Sequence, residues 1–314
     1  MAATEPALIA LDWGTSSLRA YLMGPGGAVL ETRRLPLGLM QVPGRDFAGV
    51  MERAVGDWRL AWPGLRAVAA GMIGSAQGWV EAPYAECPAG TDELARALVP
   101  VPGGALLVIP GVARYGAAPD MMRGEETQIV GALVQRPALA AGALFVLPGT
   151  HSKWVPVSDG RIRDFRTFMT GEVFATLREH SILGRFATKD APAADACRLA
   201  EAFARGVTAL RDSGSGAAPL LFSARALVLA GQLRPELSLE YLSGLLIGEE
   251  IRCGLHGEGA APVLVGDAAL CDRYRRAFAL FGIDEVAVLG DTAPAGLWRI
   301  AELAELTGRK ELQP

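Results

Sequence analysis

Two short loops constrain what this chain can fold into more than any other feature. The first, Asp12-Trp13-Gly14-Thr15-Ser16-Ser17, leaves the apolar run Ala7-Leu8-Ile9-Ala10-Leu11. The second, Pro148-Gly149-Thr150-His151-Ser152-Lys153, leaves Ala143-Leu144-Phe145-Val146-Leu147. Each is followed by an apparent hairpin. One runs 18–23 into 28–32 across Gly24-Pro25-Gly26-Gly27, the other 154–157 into 161–165 across Ser158-Asp159-Gly160. A Gly-Thr turn exposes backbone N–H groups and hydroxyls, which suit phosphate oxygens. One such loop is ordinary. Two in matching strand contexts, 135 residues from Thr15 to Thr150, suggest related half-domains that close on one polyphosphate.

The bulk of the sequence agrees. A chain of 314 residues suits two domains of ordinary size, and an apolar fraction of 51% is ample for their cores. A net charge of −4 and a pI near 5.6 argue against a nucleic-acid partner. No apolar run reaches the roughly 18 residues of a membrane span, and the longest, 138–147, stops at Pro148. Met1–Pro6 has no basic segment, so no secretory signal is visible. Cys87, Cys197, Cys253 and Cys271 are widely spaced and read as buried thiols in a reducing cytoplasm. His151, His180 and His256 lack metal-ligand spacing. Only Lys153, Lys189 and Lys310 are lysines, and Lys153 alone lies in a motif.

Strands and helices alternate along the first half. Strands are expected at 8–11, 18–23, 28–32, 67–71 and 106–109, and helices at 47–59 and 125–135. In the first helix Phe47, Val50, Met51, Ala54, Val55 and Trp58 share a face. Residues 136–142, with Pro137, read as a junction, dividing the chain into domains 1–137 and 138–314. The second half predicts helices at 173–180, 194–209, 239–255, 271–281 and 295–305, with strands at 262–265 and 285–289. Ser243, Gly244 and Gly248 suit tight packing, inside the C-terminal domain or at the interface of a homo-oligomer.

Each motif has a structural reading beside its functional one. Asp12-Trp13-Gly14-Thr15 is either a capped hairpin turn or an aspartate beside Mg²⁺ and phosphate. The chain has no Gly-Lys dipeptide and no Gly-x-Gly-x-x-Gly after its first strand, which excludes a Walker loop and leaves a dinucleotide fold without support. Thr150, His151, Ser152 and Lys153 crowd more polar groups onto one turn than stability requires, favouring a phosphate site. Glu125 and Glu126 in Met122-Arg123-Gly124-Glu125-Glu126-Thr127-Gln128 either complement a helix dipole or supply a general base. Gly71-Met72-Ile73-Gly74-Ser75-Ala76-Gln77-Gly78-Trp79 is a packed turn or a sugar site floored by Trp79. Gly266-Asp267-Ala268 is a strand-to-helix turn or a border for adenosine, and Phe168-Met169-Thr170-Gly171-Glu172 is foremost a capping turn.

In order, these segments resemble the 2-dehydro-3-deoxygalactonokinase family over nearly the whole chain. Arg123-Gly124-Glu125-Glu126-Thr127-Gln128 and Pro148-Gly149-Thr150-His151-Ser152-Lys153-Trp154 are the most specific. Gly71-Met72-Ile73-Gly74-Ser75, Ala82-Pro83-Tyr84, Phe165-Arg166-Thr167, His180-Ser181, Leu242-Ser243-Gly244 and Gly290-Asp291-Thr292-Ala293 add to it. The resemblance implies an α/β fold of two actin-like, ribonuclease H-like domains with a cleft between them. It implies ATP-dependent phosphorylation of the 6-hydroxyl of 2-dehydro-3-deoxy-galactonate. Gly124-Glu125 followed by Gly149-Thr150 is also similar in order to the Gly-Asp-Gln and Gly-Thr pattern of the glycerol-kinase-related carbohydrate kinases. Their base is aspartate; here the position holds Glu125, leaving Glu125, Glu126 and Asp12 as candidates.

On this resemblance Asp12 is expected to hold Mg²⁺ through water and Glu125 to accept the hydroxyl proton. Gly14, Thr15 and Ser16 are expected on phosphate, as are Gly149, Thr150, His151, Ser152 and Lys153. Gly266, Asp267 and Ala268 are expected beside adenosine. Ser75, Trp79, Arg123, Glu126 and Thr170 are expected around a small sugar-acid substrate, arginine being the natural partner of its carboxylate. Two alternatives remain: an actin-like kinase for another sugar, and a non-catalytic ATP-binding regulator of the same fold.

Overall fold

In the computed structural model, residues 5–186, 195–255 and 261–308 are described. His256, Lys189, Lys310 and Ala194, the expected start of one helix, lie outside them. No helix of the described residues is long and apolar enough to cross a membrane.

The chain forms two compact units. The first draws on Met1–Ala143, Val155–Phe165 and Asp291–Pro314, the second on Leu144–Trp154 and Arg166–Gly290. In the first, β1 (Leu8–Trp13), β2 (Leu18–Met23), β3 (Val29–Leu35), β4 (Ala67–Ala70) and β5 (Leu107–Val108) form a sheet in the order β3-β2-β1-β4-β5. β1 pairs antiparallel with β2 and parallel with β4, and Val99–Pro100 extends the far edge. The second sheet has β6 (Ala143–Leu147), β7 (Ser152–Ser158), β8 (Arg161–Ile162), β9 (Pro262–Val265) and β10 (Ala287–Leu289), in the order β8-β7-β6-β9-β10. The same order and chain sequence occur in both halves, so the expected structural repeat is present. This is the mixed α/β, two-unit architecture anticipated from the paired loops.

Local chemistry explains these elements. β1 and β6 are almost wholly buried, as central strands covered on both faces must be, and each consists of apolar residues but for Asp12. The β7–β8 hairpin turns through Asp159 and Gly160 at φ 52° and 68°, a left-handed pair suited to a tight hairpin. Helix α1 (Phe47–Ala61) starts at Asp46, whose carboxylate accepts the Gly49 N–H, and buries the six residues expected to share a face.

Two features depart from the sequence reading. A small sheet of Tyr84–Glu86, Gly111–Arg114 and Asp120–Met122 was not foreseen, because strands so short carry no readable period. The division 1–137 and 138–314 is also corrected, since the chain returns to the first unit at Asp291. Helix α7 (Ala293–Leu303) crosses α2 (Glu125–Gln135) backbone to backbone. A side chain at Gly131 would lie 1.9 Å from the Thr292 carbonyl, and one at Gly296 1.9 Å from that of Thr127. Thr292 further donates its hydroxyl to the Gln128 carbonyl at 2.8 Å.

Ser243, Gly244 and Gly248 take the first of their two expected placements. Helices α4 (Ala196–Asp212) and α5 (Ser238–Gly254) cross at Gly206 and Gly244, where added side chains would meet backbone at 2.1 and 2.2 Å. The small residues serve packing inside the second unit, and Ser243 accepts a hydrogen bond from Arg273 Nε at 3.1 Å.

Candidate active site

In the first unit the site grows from the carboxyl end of β1, where open α/β sheets place their ligands. Asp12 sits opposite Arg19 in the β1–β2 register, with the guanidinium 3.7 Å from its carboxylate. Arg19 also lies 3.9 Å from Asp291, which accepts the Tyr21 hydroxyl at 3.0 Å. Burial pushes the Asp12 carboxyl up to about 6; Arg19 opposes the rise, while Asp291 and Glu125 add to it. Asp12, Asp291 and Glu125 therefore share one electrostatic neighbourhood, which the sequence spreads over nearly the whole chain.

The loop after Asp12 is pinned by backbone. Gly14 donates to Ser17 O at 3.0 Å, and the carbonyls of Gly14 and Thr15 accept the N–H groups of Leu39 and Met40 at 2.9 and 3.1 Å. Gly38 makes this possible, since a Cβ there would lie 2.4 Å from the Ser16 backbone. Thr15, Ser16 and Ser17 are left exposed, with their hydroxyls available to a solute.

Glu125 reaches this place through two glycines. Gly71, at φ 98°, leaves no room for a side chain beneath the Trp13 carbonyl, and Gly124, at φ 110°, packs its Cα side against Gly71. That contact sets Arg123-Gly124-Glu125 against the ends of β1 and β4. Glu125 is half-buried at the first turn of α2 and accepts the Arg123 N–H at 3.0 Å.

Glu126, also expected around the substrate, is placed differently from Glu125. It is wholly buried, and its carboxyl accepts the Gly124 N–H at 2.7 Å and the Thr127 hydroxyl at 3.0 Å. Burial pushes its carboxyl up to about 8, with Glu125 adding to the rise. A carboxyl whose folded pKa exceeds its unfolded value holds its proton more tightly when folded. Its contribution is complete below the ordinary carboxylate range and is lost as pH rises toward 8. Thermal unfolding between pH 6.5 and 8.5 is expected to show falling stability, by at most about 1.4 kcal/mol per pH unit. Glu126→Gln should flatten that slope; an unchanged slope would assign it to another group.

Arg123, Ser75 and Trp79 belong to the same unit. Arg123 is 8% exposed, donates Nη2 to the Ala82 carbonyl at 2.8 Å and stacks on Tyr84 at 4.2 Å. Trp79 is half-buried and stacks on Phe47 at 6.4 Å, so much of its ring serves the core.

In the second unit, the loop after β6 is clamped as its counterpart is. A Cβ on Gly171 would lie 2.6 Å from the Gly149 carbonyl and 2.7 Å from Thr150 Cα, and Glu172 donates its N–H to the Thr150 carbonyl at 3.1 Å. His151 pairs with the carboxylate of Glu172. Gly149 and Thr150 present their groups outward, but Ser152 and Lys153 do not, which corrects the reading of all of them as direct phosphate contacts. Ser152 is fully buried; its Oγ accepts the Gly149 N–H at 3.3 Å and meets the Tyr274 hydroxyl at 3.1 Å. Lys153 is 4% exposed and donates Nζ to the His151 carbonyl at 3.3 Å, bracing the loop from within.

Behind Ser152 lies Glu250, which sequence patterning missed because it sits in an apolar helix. Its carboxylate accepts Trp154 Nε1 at 2.8 Å and the Tyr274 hydroxyl at 2.6 Å. Burial raises its pKa, against hydrogen bonds from Thr170, Tyr274, Trp154 and Ser152. Thr170 thus contributes to the support of the second unit's loop.

A cavity of about 260 Å³ opens beside this loop, lined by Gly149, Thr170, Gly171, Ser243, Leu270 and Arg273 among others. Arg273 is held by Glu240 at 2.7 Å and stacks on Phe203 at 4.2 Å. Gly266, Asp267 and Ala268 do not line it. Asp267 instead caps helix α6 (Ala268–Leu280), accepting the N–H groups of Ala269 and Leu270 at 3.0 Å. The first residue of that helix to line the cavity is Leu270, in its first turn.

Among the described residues no group of three or more His, Cys, Asp or Glu side chains could hold a metal ion.

Repeated sheets with a hydroxyl loop after the first strand of each define an actin-like ATPase fold. The structure of the activator of 2-hydroxyisocaproyl-CoA dehydratase from Clostridium difficile, which contains ADPNP, shares that fold. Its TM-score is 0.51 at 14% identity, covering 95% of this chain and 96% of that one. The family model for 2-keto-3-deoxy-galactonokinase matches residues 12–300. The chain is 39% identical over 297 residues to the 2-dehydro-3-deoxygalactonokinase of Escherichia coli (strain K12), covering 93% of this chain and 97% of the relative. It superposes with TM-score 0.83 and 36% identity on a crystal structure from Sinorhizobium meliloti assigned to the same activity, covering 94% and 98% of the two chains. The chain belongs to the 2-keto-3-deoxy-galactonokinase family, the sugar-acid kinases of galactonate catabolism.

Proposed function

We propose that this chain transfers the γ-phosphoryl group of ATP to the 6-hydroxyl of 2-dehydro-3-deoxy-galactonate. The observation that carries this reading is Glu125, half-buried at the start of α2 where Gly124 packs on Gly71 beneath the end of β1, the strand that holds Asp12 and leads into the exposed hydroxyl loop. Phosphoryl transfer asks the protein for position and charge more than for covalent chemistry. Glu125 accepts the proton of the 6-hydroxyl as that oxygen attacks the γ-phosphorus, and the bond to the β–γ bridging oxygen breaks to release ADP. Gly14, Thr15 and Ser16 are assigned to phosphate oxygens, as are Gly149 and Thr150, with the Lys153 charge behind the second loop. Asp12 would hold Mg²⁺ through water, and the ion supplies neutralisation of the phosphate charge. The adenosine is assigned to the 260 Å³ cavity, where Leu270 and Ile247 offer apolar surface and Ser243 and Glu240 offer polar groups.

ADP release from Mg-ATP is the test, with 2-dehydro-3-deoxy-galactonate, its gluco epimer and glucose compared as acceptors. Rapid turnover is expected with the galactonate derivative. Turnover with glucose alone would refute the acceptor class, and ATP binding without turnover on any acceptor would favour a regulator of the same fold.

A further inference from the structure

Arg123 is a buried cation that the fold only partly satisfies. Nη2 bonds the Ala82 carbonyl and one ring face lies on Tyr84, yet Nε and Nη1 have no hydrogen-bond partner among the described residues. No carboxylate side chain of the described residues forms an ion pair with the guanidinium. The Ser75 hydroxyl is likewise buried and unpartnered. Ser75 follows directly on the residue that Arg123 packs against: a Cβ on Gly74 would lie 3.0 Å from Arg123 Nη1. Leaving such donors unpaired in the interior costs several kcal/mol per charged group, so an arrangement that keeps them points to an anion supplied from outside.

We propose that Arg123 and Ser75 bind the carboxylate of the sugar acid and make the chain specific for acids over neutral sugars. This rests on the kinase reading above and names the part of the substrate that the reading leaves unassigned. Three arguments support the pairing. Arginine's planar N–H groups match a carboxylate and cannot lose their charge. The stack on Tyr84 and the Ala82 bond hold the guanidinium still before any ligand arrives, so little ordering remains to oppose binding. Arg123 also directly precedes Gly124 and Glu125, and its own N–H is held by the Glu125 carboxylate. Anchoring the acid end at Arg123 therefore ties substrate recognition to the residue assigned as base. Ser75 is half-buried and followed by exposed Ala76 and Gln77, so the chain beside it is at the surface.

The experiment compares wild type, Arg123→Lys and Ser75→Ala on the sugar acid and on its neutral methyl ester, with acid binding also measured by calorimetry without nucleotide. Wild type is expected to favour the acid strongly. Arg123→Lys should raise KM for the acid by roughly 10- to 150-fold, leave KM for ATP unchanged and lose most of the preference over the ester. Ser75→Ala should raise KM for the acid by roughly 2- to 10-fold. Equal losses on acid and ester, or unchanged KM and calorimetric affinity in both variants, would overturn the assignment. A wild type that binds the acid through Arg123 yet does not phosphorylate it would uphold the assignment and refute the kinase reading instead.

Discussion

Glu125→Gln is expected to lower turnover by roughly 100- to 10,000-fold while leaving nucleotide affinity nearly unchanged. The glutamine retains an oxygen that can accept the Arg123 N–H, so the turn through Gly124 should survive. What it loses is the ability to take a proton, which is the whole of the proposed role. Two measurements separate this from a folding defect. Calorimetry with a non-hydrolysable ATP analogue should show wild-type affinity. The Asp12 and Glu126 carboxyls should both titrate lower, since Glu125 raises each of them. Near-normal turnover would remove Glu125 as the base and pass the role to Asp12. Glu126 is not the next candidate, because it is wholly buried and already bonded to Gly124 and Thr127.

Gly171→Ala should be nearly as damaging for a different reason. Its backbone is not in the left-handed region, so alanine meets no torsional strain; the only effect is a methyl group driven into the Gly149 carbonyl and Thr150 Cα. Backbone on both sides leaves neither partner free to rotate away. The loop must move by a sizeable fraction of an ångström, and misplacement of about 1 Å costs on the order of 100-fold in rate. KM for ATP should rise and kcat/KM should fall by roughly 10- to 100-fold, with unfolding temperature little changed because the clamp is near the surface. Gly38→Ala provides the matching test in the first unit, where the collision is with Ser16. Wild-type kinetics in Gly171→Ala would show that the second loop yields freely and does not position phosphate.

Much of this was legible from residues alone. β1 and β6 are apolar runs long enough to cross a core, and the hydroxyl loops that follow them stand out by composition. The α1 face was readable because it repeats with helical period over several turns. Short elements were not. The strands 84–86, 111–114 and 120–122 are too short to show a period, and the first finds its partner, 111–114, only well along the chain. Burial also reversed several assignments. Glu126 and Ser152 look in the sequence like Glu125 and Thr150, yet successive residues of a helix point in different directions, and Thr150 lies in the exposed turn while Ser152 opens the buried strand β7. One of each pair faces solvent or the site and the other faces the interior.

Sequence by itself determined the fold class, the repeat, the loops and the family, because those depend on local composition and on motifs carried in order. Tertiary structure alone decided three other things: that Asp291 returns from the far end of the chain to stand by Asp12 and Arg19, that Gly38 and Gly171 hold the loops, and that Glu250 supports Ser152. Each is a contact made across a long stretch of chain. Its strength comes from burial and close backbone approach, quantities that exist only once the sheets and helices have packed.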